Sequence, residues 1–241
     1  MTSQNSGAAS AAILAGGLGS RLRSVVSDRP KVLALVNGRP FIAALLDQIV
    51  ESGAESVALC TGYLGEQVEA AFGAVYRNLK IFYSREPSSL GTAGALRLAL
   101  PLLGAGSIVV MNGDSFCDAR VKDVLSWHRA RAARATLLLS EVADTSRYGR
   151  VRTADDGRVV GFEEKDASGG RGWINAGVYV IERELLETIP GDRAVSLERE
   201  MFSSWIGEGM YGFKTSGRFI DIGIPETYAA AGRFFSSEAK I

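Results

Sequence analysis

The chain has 241 residues, 46% hydrophobic and 22% charged, with 27 Lys+Arg set against 27 Asp+Glu. That balance leaves no global cationic excess to hold nucleic acid or an anionic membrane, so any functional positive charge must be local. The length suffices to bury a sizeable core, and no apolar run approaches the roughly 20 residues of a membrane helix.

Residues 1–10, MTSQNSGAAS, lack the basic start and long apolar stretch of a secretory signal and read as a flexible tail. A cytoplasmic location is expected. From residue 11 to 241 the pattern predicts a single domain. Apolar runs at 11–15 (AAILA), 56–61, 79–83 and 107–111 read as strands. Between them lie helical patterns. One follows Pro40 and places Ile42, Leu45, Leu46, Ile49 and Val50 on one face; others cover about 64–72 and Thr92 to Leu100. Strand, helix, strand in repetition implies a Rossmann-like, mostly parallel sheet with helices on both faces. The one histidine, His128, lies in the helical run SWHRARAA and is expected at the surface. Cys60 and Cys117 show no C-x-x-C spacing and read as reduced structural thiols.

The second half changes character. Strands are expected at 135–142, 148–154 and 173–181, with Asp156–Gly157 turning the chain into RVVGFEE. Helices are expected at 182–189, at 196–206 and from Pro225 to Phe235. This gives a partly antiparallel C-terminal lobe. Trp205, Phe234 and Phe235 fit either a core or an apolar face, so the sequence leaves the oligomeric state open, a homodimer included.

Ligands of open parallel sheets bind beyond the carboxyl ends of the strands, so the loops after Ala15, Thr61, Tyr83 and Met111 should converge on one cleft. Gly16, Gly17 and Gly19 follow the first strand, where a loop without Cβ atoms can turn several N–H groups on one anion. Arg21 adds a planar fork for phosphate oxygens and Lys31 a mobile charge. The bland alternative is a tight glycine-rich turn with solvated arginines. A P-loop is excluded, because G-x-x-x-x-G-K-[ST] does not occur. The dinucleotide fingerprint fails as well: its third glycine would fall on Leu22, and Cys60–Thr61–Gly62 stands where an acidic residue belongs. Asp114 ends the fourth strand. A lone aspartate there is ordinarily a turn or cap; only if Asp221, far away in sequence, reaches the same cleft could the two hold a Mg²⁺.

These residues resemble the signature of the sugar-1-phosphate nucleotidyltransferases, G-G-x-G-[ST]-R-L…P-K, present as Gly16, Gly17, Gly19, Ser20, Arg21, Leu22, Pro30 and Lys31. Later family motifs follow in order: L-G-T-A-G at 90–94, N-G-D at 112–114, Y-G at 148–149, F-E-E-K at 162–165, N-A-G at 175–177 and D-I-G at 221–223. The resemblance implies the GT-A-like fold of that family. It also implies a nucleotide-binding half (11–133) and a sugar-phosphate-binding half (134–241). The reaction implied joins a nucleoside triphosphate to a sugar 1-phosphate with release of pyrophosphate. Arg21, Lys31, Asp114 and Lys165 would be catalytic, and Asp114 and Asp221 would hold Mg²⁺. Leu14, Ala15, Gly16, Gly17, Gly19, Ser20, Arg21, Glu86, Gly91, Thr92 and Asn112 would contact the nucleotide. Gly149, Glu164, Lys165, Asn175 and Gly177 would contact the sugar.

Pyrimidine-using members often carry glutamine where Glu86 stands. Guanine offers two adjacent donors and an ionised carboxylate only accepts, so Glu86 favours GTP. The compact length and the run KVLALVNGRPFIAALLDQI resemble the heptose-1-phosphate guanylyltransferases of surface-polysaccharide and capsule synthesis. Mannose-1-phosphate guanylyltransferases and uridylyl or thymidylyl transferases are the alternatives within the family. Two departures stand near the site: Val32 replaces the proline usual after P-K, and Ser89 replaces the proline of P-L-G-T. Outside enzymology the alternative is a non-catalytic sugar-nucleotide sensor, which tends to lose the arginine, lysine and aspartates retained here. No partner beyond the two substrates is implied, and neither nucleic acid nor membrane.

Overall fold

A computed structural model describes residues 10–163 and 169–236. The first half runs β1 (Ser10–Ala15), a two-residue hairpin of β2 (Leu35–Val36) and β3 (Arg39–Pro40), α1 (Phe41–Ser52), β4 (Ser56–Thr61), α2 (Gly65–Phe72), β5 (Val75–Tyr76), β6 (Leu79–Arg85), α3 (Gly91–Ala99), β7 (Ser107–Asn112), β8 (Ser115–Cys117) and α4 (Val121–Ala130). The second half adds β9 (Ala135–Val142), β10 (Arg150–Thr153), β11 (Val159–Glu163), β12 (Gly172–Glu182), α5 (Arg183–Glu187), a π-helical turn (Leu197–Met201) leading into α6 (Phe202–Trp205), β13 (Met210–Thr215), β14 (Phe219–Asp221) and α7 (Pro225–Ser236).

One large sheet runs through both halves in the order β11-β10-β12-β7-β1-β4-β6-β5, with β9 also on β12 and β13 on β9. Strands β7, β1, β4 and β6 are parallel neighbours, and β12 joins β7 antiparallel. Both faces are buried, as the unalternating apolar runs of the parallel strands require. Along β1, Ala11, Ile13 and Ala15 face one core cluster and Ala12 faces the other. Helix α1 seals the first cluster with Ile42, Leu45, Leu46 and Ile49, the stripe expected from its spacing. Gly53, in the left-handed region at φ 83°, ends it.

Three expectations need correction or completion. His128 is buried rather than at the surface: it lies 1% exposed on the face of α4 that carries Val121, Val124 and Leu125. The i, i+3, i+4, i+7 spacing of those four residues explains the burial. Its Nδ1 meets Thr136 Oγ1 at 2.8 Å and its Nε2 meets Glu182 Oε1 at 2.9 Å. Burial lowers its pKa, against the opposing pull of Glu182. Trp205 is core, and Phe234 and Phe235 pack edge-on against Phe116. Strands β8, β13 and β14 had no sequence expectation. Cys60 and Cys117 are buried free thiols, each pushed up to about 12 by burial.

Candidate functional site

After Ala15 the chain leaves the sheet in a bare turn. A side chain at Gly16 would strike Glu86 Oε1, and Gly19 takes φ 60°. The Leu22 N–H closes the turn on Gly19 O at 2.9 Å, and the buried Leu22 anchors it while Arg21 stays exposed. Lys31 opens a 3₁₀ turn behind Pro30 and pairs with Asp114 Oδ2.

Asp114 stands just past β7, where Gly113 N–H reaches Leu14 O at 3.0 Å. A Cβ on Gly113 would come within 2.6 Å of that carbonyl, so the approach of the two strand ends demands glycine. Strand β8 then pairs antiparallel with β14, setting Ser115 opposite Asp221, and Ile222 N–H reaches Asp114 O at 2.8 Å. This short ladder brings together two carboxylates far apart in sequence. Asp221 Oδ1 accepts the Gly223 N–H at 2.5 Å, and Arg147 stands 4.0 Å from its Oδ2.

Two hollows meet at this point. The first, about 430 Å³, is lined by Leu14, Ala15, Gly16, Gly17, Arg21, Lys31, Glu86, Ser89, Gly91, Thr92, Asn112, Asp114 and Glu198 among others. The second, about 140 Å³, is lined by Arg21, Asn112, Asp114, Ser115, Arg147, Tyr148, Gly149, Asn175, Gly177, Glu198 and Asp221, with Phe219. Arg21, Asn112, Asp114 and Glu198 border both.

At the far end of the first hollow, Glu86 Oε2 accepts the Leu90 N–H at 2.9 Å. Burial raises its pKa, partly offset by that bond. Burial also works against the Asp114 charge. The neighbouring Lys31 ammonium, through its charge and its hydrogen bond, overcomes this and holds the Asp114 carboxyl below the usual range. In the second hollow, the β12–β9 ladder breaks between Asn175 and Tyr179, and Gly177 takes φ 75° with Ser115 and Asn112 against it. Such a break re-aims side chains out of the ladder. Asn175 Nδ2 donates to the Tyr179 hydroxyl at 2.8 Å and its Oδ1 accepts the Gly177 N–H at 3.0 Å.

Most of the expected site residues therefore border one joined cavity. Gly19 and Ser20 line neither hollow and serve the turn itself. The loop after Thr61 lies beside the first hollow rather than in it: Gly62 backs onto Glu86 and borders an adjoining depression with Tyr63. Glu164 and Lys165 lie outside the described residues. Glu198 and Arg147 border the cavity without having been expected there. Glu198 sits in the charge run LEREM, which reads as a solvated helix face, and Arg147 precedes a strand; neither carried a distinctive signal.

Asp114 and Asp221 supply hard oxygen donors at the smaller hollow. Among the described residues no group of three or more His, Cys, Asp and Glu is arranged as a metal cage. Two carboxylates suit Mg²⁺, which keeps several waters and takes phosphate oxygens to complete its octahedron.

A phosphate-type glycine loop at the carboxyl edge of a mixed sheet, facing paired aspartates, defines a nucleotide-handling α/β protein. The chain belongs to the nucleotidyl transferase family, whose model matches residues 10–238. It is 36% identical over 222 residues to the D-glycero-alpha-D-manno-heptose 1-phosphate guanylyltransferase of Aneurinibacillus thermoaerophilus, covering 92% of this chain and 96% of that one. It is 37% identical over 222 residues to the mannose-1-phosphate guanylyltransferase of Mycobacterium tuberculosis; this match takes in 90% of the chain but 62% of that longer protein. Among solved structures, HddC from Yersinia pseudotuberculosis superposes with a TM-score of 0.82 at 32% identity, over 94% of this chain and 99% of that one. HddC has also been solved in complex with GMP-PN. No helix among the described residues is long and apolar enough to cross a membrane.

Proposed function

We propose that the chain is a guanylyltransferase that joins GTP to a sugar 1-phosphate, with a heptose 1-phosphate as the favoured sugar. The product is a GDP-sugar of the kind that feeds surface-polysaccharide synthesis. The observation that carries this reading is the meeting of Arg21, Lys31, Asp114 and Asp221 around two joined hollows. The full-length similarity to a heptose 1-phosphate guanylyltransferase supports the choice of base and sugar.

In the reaction, a phosphate oxygen of the sugar 1-phosphate attacks the α-phosphorus of GTP. The bond from that phosphorus to the oxygen bridging to the β-phosphate breaks, and pyrophosphate leaves in line. The nucleophile is already an anion, so no general base is needed, and positioning with charge neutralisation supplies the rate. Gly16 and Gly17 let the triphosphate approach the backbone, and Arg21 holds the departing β- and γ-phosphates. Lys31 serves the α-phosphate from its place beside Asp114. Asp114 and Asp221 would hold a Mg²⁺, which when bound spreads the charge developing on the phosphate oxygens. Glu86 reads the guanine N–H donors while Gly91 and Thr92 shape that end of the hollow. Gly149, Asn175 and Gly177 face the sugar. Lys165 and Arg147 supply cations for its phosphate, and Glu164 an acceptor for its hydroxyls.

The two halves of the chain thus divide the labour within one domain, nucleotide on residues 11–133 and sugar phosphate on 134–241. Incubation with Mg²⁺, GTP and either heptose or mannose 1-phosphate, followed by pyrophosphate measurement, tests the proposal. Release that needs both substrates is expected. Release without sugar phosphate refutes transfer, and no release with any pair favours a non-catalytic sensor.

A further inference from the structure

Glu198 borders both hollows, and the reaction outlined above gives it no task. One of its oxygens is fully engaged. Oε2 accepts from the Thr92 hydroxyl at 2.7 Å and from the Ser196 hydroxyl at 3.1 Å. Those hydroxyls themselves accept the Leu197 and Arg199 N–H groups, at 2.8 and 3.2 Å, so their own protons point at Glu198. Oε1 has no hydrogen-bond partner among the described residues.

The setting is rigid. Glu198 sits in the π-helical turn Leu197–Met201, a rare geometry that recurs at functional sites. The segment leading into it is stitched to the base end of the first hollow: Val195 O accepts the Ala93 and Gly94 N–H groups at 3.0 and 3.3 Å, and Val195 N–H reaches Leu90 O at 2.8 Å. A side chain on Gly91, at φ 73°, would collide with the same Val195 carbonyl.

A carboxylate in a cleft for two polyanions repels phosphate, so what it meets there must be a hydrogen-bond donor. Among the described residues no cleft cation supplies one: Lys31 pairs with Asp114, Arg147 stands toward Asp221, and Arg21, which borders both hollows, makes no hydrogen bond or ion pair with Glu198. The donors must come with the substrates, as base N–H groups, ribose hydroxyls or sugar hydroxyls. Glu86 already faces the base end. Glu198 shares the lining of the second hollow with Asn112, Asn175 and Gly177. Burial first, and then the Glu198 charge, push the nearby Tyr179 phenol upward, and that phenol touches Asn175.

We infer that Glu198 Oε1 accepts a hydrogen bond from a ring hydroxyl of the sugar 1-phosphate, which makes Glu198 a specificity-determining residue and Thr92 its positioning residue. This rests on the guanylyltransferase reading above. It also means that Thr92, at the nucleotide end, orients the group that reads the second substrate.

The test uses the full chain with GTP, Mg²⁺ and mannose 1-phosphate. Glu198→Gln keeps an acceptor for Thr92 and Ser196 and puts an N–H donor where Oε1 stood. The KM for mannose 1-phosphate should rise about tenfold or more while the KM for GTP stays within about twofold, the size of one lost hydrogen bond. Thr92→Val should shift the same constant in the same direction. Among monodeoxy mannose 1-phosphates, one should cost the wild type about tenfold in kcat/KM and the variant little, because its site no longer reads that hydroxyl. A raised KM for GTP with that for mannose 1-phosphate unchanged, the penalty vanishing with 2′- or 3′-deoxy-GTP, would assign the oxygen to ribose and overturn the inference. A shifted Mg²⁺ requirement would overturn it too, by placing the carboxylate on the metal. Should Glu198→Gln not fold, Glu198→Asp is read by the same constants. Absence of turnover in the wild type with heptose 1-phosphate as well as with mannose 1-phosphate defeats the reaction of the preceding subsection instead. Calorimetry of mannose 1-phosphate on protein holding an unreactive α,β-imido GTP then decides: weaker binding in the variant upholds the assignment, and equal binding ends it.

Discussion

In the proposed reaction, Glu86 is the side chain on which base choice turns. Its Oε2 is committed to the Leu90 N–H, and its Oε1 lies against Gly16 and Gly62, so the carboxylate is held at the wall of the first hollow. Replacing it by glutamine exchanges an acceptor-only group for one that also donates. Glu86→Gln should lower kcat/KM for GTP relative to UTP by about 10- to 100-fold, the range of one well-placed base contact. Initial rates with the two nucleotides measure it. Burial holds the Glu86 pKa above its ordinary value, so its protonation sets in at a higher pH than for a free glutamate. On acidification the KM for GTP should accordingly climb before exposed carboxylates titrate, and Glu86→Gln should flatten that climb. Asp114 makes a different prediction. It is paired with Lys31, a side chain only 14% exposed, and it shares the lining of the smaller hollow with Asp221, which the β8–β14 ladder sets opposite the neighbouring Ser115. Asp114→Asn should cost about 100-fold or more in kcat, with overall secondary structure by circular dichroism unchanged, because electrostatic stabilisation is the main catalytic resource here. Near-normal turnover would take Asp114 out of the reaction.

Among the elements, α4 and β12 carry a pH dependence unrelated to the site. His128 is clamped between Thr136 on β9 and Glu182 at the end of β12, and burial lowers its pKa below the unfolded value of about 6.5. Above that pH the ring is neutral in both states and its contribution is complete. As pH falls below it, the unfolded chain takes the proton first, so stability drains away until the folded pKa is reached, with a slope of at most about 1.4 kcal/mol per pH unit. Urea unfolding of wild type and His128→Gln between about pH 7.5 and 5.5 should show the slope in the former and less of it in the latter. His128 also shows what the sequence made legible and what it did not. The spacing Val121, Val124, Leu125, His128 places the imidazole on the buried face, but a charged neighbourhood of arginines reads as solvent. The long parallel strands and α1 were plain from apolar runs and helical periodicity. Strands β8 and β14 were not, because three residues are too few to show an alternation. The site divided along the same line. Glycines and cations at strand ends announce themselves by type and place. Glu198 enters through a fold-back of the second half onto α3, and only tertiary contact reveals it.

At the scale of the whole molecule, the proposed functional halves do not coincide with structural ones. Strand β12, from the second half, lies on β7 of the first with Val178 opposite Met111 and Ile181 opposite Ile108. Helix α7 closes the molecule from the other end of the chain: Asn37 Nδ2 donates to Gly232 O at 2.9 Å, Tyr228 donates to Leu35 O at 2.8 Å, and Phe235 meets Phe41 edge-on at 6.2 Å. A break near residue 133 would therefore strip the covering strand from β7, leave an apolar edge, and remove the carboxylate that β14 brings to Asp114. Such a sheet loses its structure as one unit. The three tryptophans, at 127, 173 and 205, all report on α4 and the second half, whereas the proposed GTP site is built mainly on loops of the first. Tryptophan fluorescence and loss of GTP binding should therefore follow a single urea transition with the same midpoint. Residues 10–133 expressed alone should show no cooperative unfolding and bind no GTP. Two separated midpoints, or a first half that folds and binds alone, would mean that β12 and α7 add to a finished domain instead of completing one.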